Sequence, residues 1–239
     1  MTTDRLERHN AAQREYFEAT DKPRMRARDT PYVRRHVEWM EAFAGLQPGQ
    51  RVLDAGCGQG RFTLPLAARG HSVEGLDVAP VLLERLAAAD GGRFGVPVHH
   101  ADLLDPPRTL HGRYDAVVGF FALHHLHDLA GCLAGARRLV RPGGVVAFLE
   151  PNARCPLYYA QIALTAGMSF AGDGGLVRMR PGVLASAYAQ AGLSDVEFEL
   201  RGFGPPALVN RPRGRRLDAV AERCTPSAVR PFLLVRGRA

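Results

Sequence analysis

The sequence predicts an α/β chain built on a doubly wound, mostly parallel sheet of seven strands with helices on both faces. Three observations predict it. From residue 51 onward, short apolar runs alternate with stretches of helical periodicity. A turn almost free of Cβ atoms, Gly56-Cys57-Gly58-Gln59-Gly60, joins the first strand to the first helix. Asp77 then closes the second apolar run. Strand, glycine turn, helix, strand and acid is the layout of a nucleotide-type pocket at the carboxyl edge of a parallel sheet.

The elements follow in order. Strands are expected at 51–55, 72–77, 96–100 and 114–119, with helices at 61–69, 80–89 and 128–140. Pro80 suits the first turn of its helix. Pro142-Gly143-Gly144 turns the chain into a fifth strand at 145–150. A helix at 181–191, a strand at 195–201 and a strand over Phe232–Arg236 complete the alternation. Upstream, residues 4–19 carry Leu6, Tyr16 and Phe17 among charges and read as a loose amphipathic helix. Residues 21–31 are polar and read as a linker. Pro31 opens a helix with Val33, Val37, Met40 and Phe43 on one face, and Pro48-Gly49 ends it.

Two segments fall outside the alternation. Residues 151–180 and 202–229 emerge beside the carboxyl edges of strands, where ligands bind in such sheets. With residues 1–45 they are expected to cover a substrate pocket. The division is therefore an N-terminal helical cap at 1–45 and a main domain at 46–239 carrying two cap insertions.

Composition bounds the function. The 239 residues are 46% hydrophobic and 23% charged, enough for one domain with a substantial core. No run of 18 apolar residues occurs, so no membrane span is expected. The N-terminus is charged and unlike a signal peptide. The four cysteines are scattered without a Cys-x-x-Cys pair, which points to free thiols in a reducing cytoplasm. Net charge is +7, and basic residues crowd Arg211-Pro-Arg-Gly-Arg-Arg216. That cluster reads either as a solvated loop or as a patch for an anionic partner.

The glycine spacing narrows the ligand. A dinucleotide fingerprint needs a third glycine where this chain has Arg61. The pattern is instead acid-x-Gly-x-Gly-x-Gly, opened by Asp54, and an acid there suits a ligand bearing an ammonium group. The motif resembles that of class I S-adenosylmethionine (SAM) methyltransferases. The resemblance continues through Gly75-Leu-Asp-Val78, His100-Ala-Asp-Leu103, Tyr114-Asp-Ala-Val-Val-Gly119 and Leu139-Val-Arg-Pro-Gly-Gly144, and it covers residues 46–150.

It implies a Rossmann-like sheet whose last strand runs antiparallel, SAM as cofactor, S-adenosylhomocysteine as product, and no metal. Gly56, Cys57 and Gly58 would line the methionine part, and Asp54 would bond its ammonium. Asp77 would accept both ribose hydroxyl protons. Val78 would pack on adenine, with Asp102 and the Leu103 amide on its polar edge. Phe120 would touch the methionine moiety. Other roles are open: a helix cap for Asp77, a turn residue for Asp102, ordinary core for Phe120.

The sulfonium methyl is already activated, so alignment and exclusion of water are the protein's main work. A base is needed only where the acceptor must lose a proton. His124 and His125 follow the fourth strand, close to where the methyl is presented, and are the candidates, His125 first. Packing against the cofactor or bonding within the loop is the alternative. Apart from Asp128, no acid or cysteine stands at ligand spacing from His124, His125 and His127, so no metal is expected there. Glu150, Asn152, Tyr16, Tyr158 and Tyr159 are candidates for the acceptor, Glu150 alternatively as a cap.

Base methyltransferases carry an Asn/Asp-Pro-Pro-aromatic motif where this chain has Gly119-Phe-Phe-Ala122, which argues against a nucleic-acid substrate. The apolar, aromatic cap suits a mostly apolar small molecule. Leu123-His124-His125 and Pro142-Gly143-Gly144 resemble the methyltransferases that act on quinones, lipids and natural products, which implies methylation on oxygen, nitrogen or carbon in such metabolism, by a monomer or homodimer. A SAM-binding regulator or subunit and a nicotinamide oxidoreductase are the competing readings.

Overall fold

The structure, a computed structural model, describes residues 26–156, 158–160 and 174–239. Tyr16 and the helix expected at 4–19 lie outside the described residues. Seven strands form one sheet: β1 Arg51–Ala55, β2 Ser72–Asp77, β3 Val98–His100, β4 Tyr114–Phe120, β5 Val140–Pro151, β6 Ser194–Arg201 and β7 Phe232–Arg238. Their order is β3-β2-β1-β4-β5-β7-β6. The first five run parallel, and β7 is antiparallel to both neighbours. The expected sheet and its reversed last strand are thus present.

Helices cover both faces. The described helices are α1 Pro31–Ala44, α2 Thr63–Ala68, α3 Pro80–Asp90, α4 Leu129–Leu139, α5 Pro181–Gln190, α6 Pro206–Val209 and α7 Gly214–Cys224. Strand alternation sorts the core. Leu53, Val117 and Phe148 meet Leu133 of α4 and Tyr188 of α5 on one face. Val52, Val118 and Leu149 meet Val37 and Met40 of α1 and Leu66 of α2 on the other. All eleven side chains are fully buried, each stabilising the fold by about 1.5–3 kcal/mol.

Helix ends follow local chemistry. Thr30 caps α1, its hydroxyl accepting from the Val33 N–H at 3.3 Å, and Pro31 takes the first helical position. Gly45, with φ 70°, ends α1 three residues before the expected Pro48-Gly49 stop. Asp128 caps α4 through the Gly131 N–H at 2.9 Å.

Two further boundaries differ from expectation. Helix α2 begins at Thr63 because the glycine turn continues through Gly60, whose φ is 80°. Strand β5 begins at Val140, which pairs with Tyr114 across an irregularity before the register resumes at Ala116 and Val145. Pro142-Gly143-Gly144 is therefore carried inside the strand.

Candidate active site

Strand β1 delivers Asp54 to the carboxyl edge, 2% exposed. Its carboxylate accepts the Thr63 hydroxyl at 2.7 Å. Burial pushes its pKa up to about 7; the Thr63 bond opposes that and Asp77 adds to it. A carboxyl so stripped of water has no cationic partner among the described residues. It is suited to an arriving ammonium group.

The turn after it is shaped for backbone contact. Gly56, Gly58 and Gly60 have φ of 75°, 51° and 80°, a region that L side chains avoid. A Cβ on Gly56 would lie 2.8 Å from Ala122 Cβ, so β1's turn seats directly on the loop after β4. Cys57 tucks its sulfur against Gly75, where a Cβ would sit 2.8 Å from Sγ. Burial raises its thiol pKa well above the ordinary value, so it is an inert space-filler.

Asp77 leaves the end of β2. One oxygen accepts the Gly58 N–H at 2.9 Å, the other the Ala79 N–H at 3.0 Å. It thereby ties the glycine turn to Ala79, the residue before α3, which has no side-chain cap of its own. Each oxygen retains lone-pair capacity, so a diol fits as well. Burial raises its pKa, and these N–H groups oppose the rise. Val78 follows, half-buried, its carbonyl 3.2 Å from His100 Nε2. A ligand held by Asp54, Gly56, Gly58 and Asp77 would carry a cationic amino acid at one end and a diol at the other, which fits SAM.

Asp102 accepts the Leu104 N–H at 2.9 Å. Leu103 is held by a residue the sequence reading missed. A Cβ on Gly135 of α4 would lie 1.7 Å from the Leu103 carbonyl oxygen, so only glycine lets α4 lie on this loop. A lone glycine inside a helical pattern is the signal that could have found it.

Phe120 is buried and stacks on Phe62, ring centroids 4.4 Å apart and planes 10° apart. The next residue, Phe121, holds φ at 56°, a strained backbone for an aromatic residue. Phe62 and Phe121 join an aromatic group with Tyr32, His36, Trp39 and Phe232. His36 is fully buried and donates Nδ1–H to the Tyr32 carbonyl at 2.6 Å. Its Nε2 has no hydrogen-bond partner among the described residues. Burial and nearby Arg35 hold its pKa well below the usual value, so the imidazole is neutral.

The histidine turn is organised by Glu150. Fully buried at the end of β5, it accepts the Ala122 and Leu123 N–H groups, each at 2.8 Å. It also accepts the His124 N–H at 3.4 Å and His124 Nδ1–H at 2.7 Å. Four donors fill its oxygens, so Glu150 caps the turn, the alternative the sequence left open for it. Asn152 is likewise fully buried. Its amide donates to the Ala228 and Arg230 carbonyls, at 3.0 and 2.8 Å, and its oxygen accepts the Arg154 N–H at 3.0 Å. That places it in the framework as well. His124, 4% exposed, is held to Glu150 through Nδ1, the loop-bonding alternative that the sequence left open. His125 is half-buried beside it, the ring centroids 3.9 Å apart.

The insertions close on this edge. A Cβ on Gly175 would lie 1.7 Å from the His124 carbonyl oxygen, and Arg178 donates to the carbonyls of Leu126 and His127. Tyr158 and Tyr159 are half-buried, and Tyr159 donates its hydroxyl to the Ala153 carbonyl at 2.9 Å. In the second insertion Asp218 forms a buried ion pair with Arg35 of α1. Among the described residues no group of His, Cys, Asp and Glu is arranged to hold a metal, and no helix is long and apolar enough to cross a membrane.

The reversed seven-stranded sheet and the acid-flanked glycine turn define a SAM-dependent methyltransferase. The chain belongs to that family: residues 25–197 match the family described as "Methyltransferase domain". Over 175 residues it is 33% identical to the ubiquinone biosynthesis O-methyltransferase of Aromatoleum aromaticum, covering 71% of this chain and 74% of that protein. Its fold is shared with geranyl diphosphate C-methyltransferase from Streptomyces coelicolor, at TM-score 0.60 and 18% identity over 85% of this chain and 78% of that one. It is also shared with the cyclase SpnF, at TM-score 0.61 and 19% identity over 86% and 80%.

Proposed function

We propose that the chain transfers the methyl group of SAM to a hydroxyl oxygen of a mostly apolar small molecule, in cofactor or natural-product biosynthesis. One observation carries the cofactor end: the buried Asp54 carboxyl and the bridged Asp77 carboxylate flank a glycine turn open to backbone contact. The likeness to an enzyme named for O-methylation in ubiquinone biosynthesis supports the acceptor end, together with the aromatic group around Phe62 and Phe121.

When bound, SAM supplies an activated methyl on a sulfonium. The chain's own residues do the rest. Asp54 balances the ammonium, and Asp77 holds the ribose hydroxyls while keeping the glycine turn on α3. Val78, Asp102 and the Leu103 amide take the adenine, and Phe120 backs the methionine moiety. Glu150 fixes the 122–124 turn and so sets His125, which takes the proton of the acceptor hydroxyl. Tyr158 and Tyr159, with Tyr16 from the segment outside the described residues, contact the acceptor. Residues 1–45, 151–180 and 202–229 act as its cover and exclude water. The contacts of Gly175 and Arg178 with the histidine turn support that role for the first insertion. The Arg35–Asp218 pair supports it for the second. Four free cysteines, three of them buried, fit a reducing cytoplasm.

The experiment is methyl transfer from labelled SAM to catechols and hydroquinones bearing apolar tails, followed by mass spectrometry of the product. Methoxy products are expected. Methylation confined to amines or carbon acids would overturn the oxygen assignment, and tight SAM binding with no transfer to any acceptor would favour a regulator.

A further inference from the structure

Helix α7 is inside out. A surface helix normally turns its apolar stripe inward. Here the inward positions are Gly214, Asp218, Ala221 and Glu222, the first two buried and the others half-buried. Asp218 takes Arg35 and the N–H groups of Phe203 and Gly204, and Glu222 lies 4.0 Å from Arg201 and 3.8 Å from Arg230. The outward face interleaves Arg216, Val220 and Arg223, flanked by Leu217. Leu217 is 57% exposed and Val220 59%. Arg211 and Arg213 precede the helix on the same exposed stretch. Arg215 is spent on Glu38, whereas Arg211, Arg213, Arg216 and Arg223 have no ion-pair partner among the described residues.

Internal packing does not account for this face. We propose that α7 is an interfacial docking helix for a bilayer surface containing anionic lipid. The chemistry is complementary. Guanidinium groups bond headgroup phosphates through two parallel N–H contacts, while Leu217 and Val220 enter the boundary with the acyl chains. A nucleic acid would satisfy the arginines and leave the aliphatic pair with nothing apolar to cover it.

Topology gives the contact a use. The segment carrying α7 leaves the sheet at Arg201 and returns at Phe232, which pair with each other, and Phe232 also pairs with Pro151. Those residues stand at the carboxyl edge, beside the histidine turn. Docking through α7 therefore holds the reaction edge near the surface from which an apolar acceptor would come. The docking itself does not depend on which atom is methylated.

The test is co-sedimentation of the full chain with vesicles of phosphatidylcholine alone and of phosphatidylcholine with 30% phosphatidylglycerol, at low and high salt. Binding is expected only to the anionic vesicles and is expected to weaken with salt. Each arginine removed should lower partitioning about fivefold, so Arg216→Ala with Arg223→Ala should lower it roughly 25-fold. Leu217→Ser with Val220→Ser should lower it about tenfold. All four positions are exposed, and circular dichroism should show the variants folded. S-adenosylhomocysteine affinity by calorimetry, which is assigned to Asp54 and Asp77 elsewhere in the chain, should be unchanged in them, and this separates failure of docking from failure of the cofactor site. Absence of binding to anionic vesicles at low salt, or wild-type binding by the double-arginine variant, would overturn the proposal. So would retention of an RNA oligonucleotide without vesicle binding.

Discussion

Replacing Asp54 by asparagine should make the ligand-free protein more stable and the cofactor bind more weakly. The carboxyl's pKa rises from 3.8 to about 7 because burial disfavours its ionised form. That difference corresponds to about 4 kcal/mol held against the charged state above neutrality. The sign follows from proton counting. Between pH 4 and 7 the folded chain binds this proton and the unfolded chain does not. The group's contribution to stability therefore falls as pH rises through that window and is level above it. Asparagine keeps an acceptor for the Thr63 hydroxyl and removes the charge. At pH 8 the ligand-free variant should gain up to roughly 4 kcal/mol in denaturant unfolding, and at pH 4 it should gain almost nothing. Calorimetric titration should show the opposite effect on binding. A charged hydrogen bond is worth about 1.5–3 kcal/mol, so SAM affinity should drop at least tenfold. Wild-type affinity should also rise with pH up to about 7, because the ammonium selects ionised Asp54, and the variant should lose that dependence. A variant less stable than wild type at pH 8, or one with undiminished affinity, would refute the picture of a carboxylate held uncompensated for its ligand.

Three further outcomes are expected. Asp77→Ala releases the Gly58 and Ala79 N–H groups as well as the ribose, and should weaken S-adenosylhomocysteine binding at least tenfold by titration, a loss of about 1.5–3 kcal/mol. His125→Ala should leave SAM affinity near wild type while slowing turnover, and the ascending limb of its pH–rate profile should disappear; an unchanged profile removes His125 as the base. Gly135→Ala would place a Cβ against the Leu103 carbonyl, so α4 or the loop carrying Leu103 must move. A loss of roughly 2–4 kcal/mol in thermal unfolding and weakened adenosine binding should follow together.

Much of the scaffold was legible because its signals are local. Pro31, Pro80 and Pro181 each mark a first helical position, and apolar runs bounded by glycine mark β1, β2 and β4. Asp54 and Asp77 were picked out for the same reason, since each lies at the carboxyl end of a strand. What escaped depends on contacts distant in sequence. Glu150 ends a strand as Asp54 and Asp77 do, yet only the fold shows that the N–H groups of residues 122–124 consume it. Gly135 and Gly175 act on partners 32 and 51 residues away in the chain, Leu103 and His124. Helix α7 was hidden by its inverted periodicity, its arginines reading as an irregular surface loop.

The buried pair between Arg35 and Asp218 constrains how the stretch between β6 and β7 can be exchanged. Grafting the stretch between β6 and β7 from a sister enzyme would carry Asp218 away and strand a guanidinium among Tyr32, Trp39 and Phe232. An orphaned interior charge costs about 3–5 kcal/mol, a large fraction of a typical domain's stability. The first helix and the distal insert thus form one exchangeable unit, and chimeras that swap them jointly keep their latch.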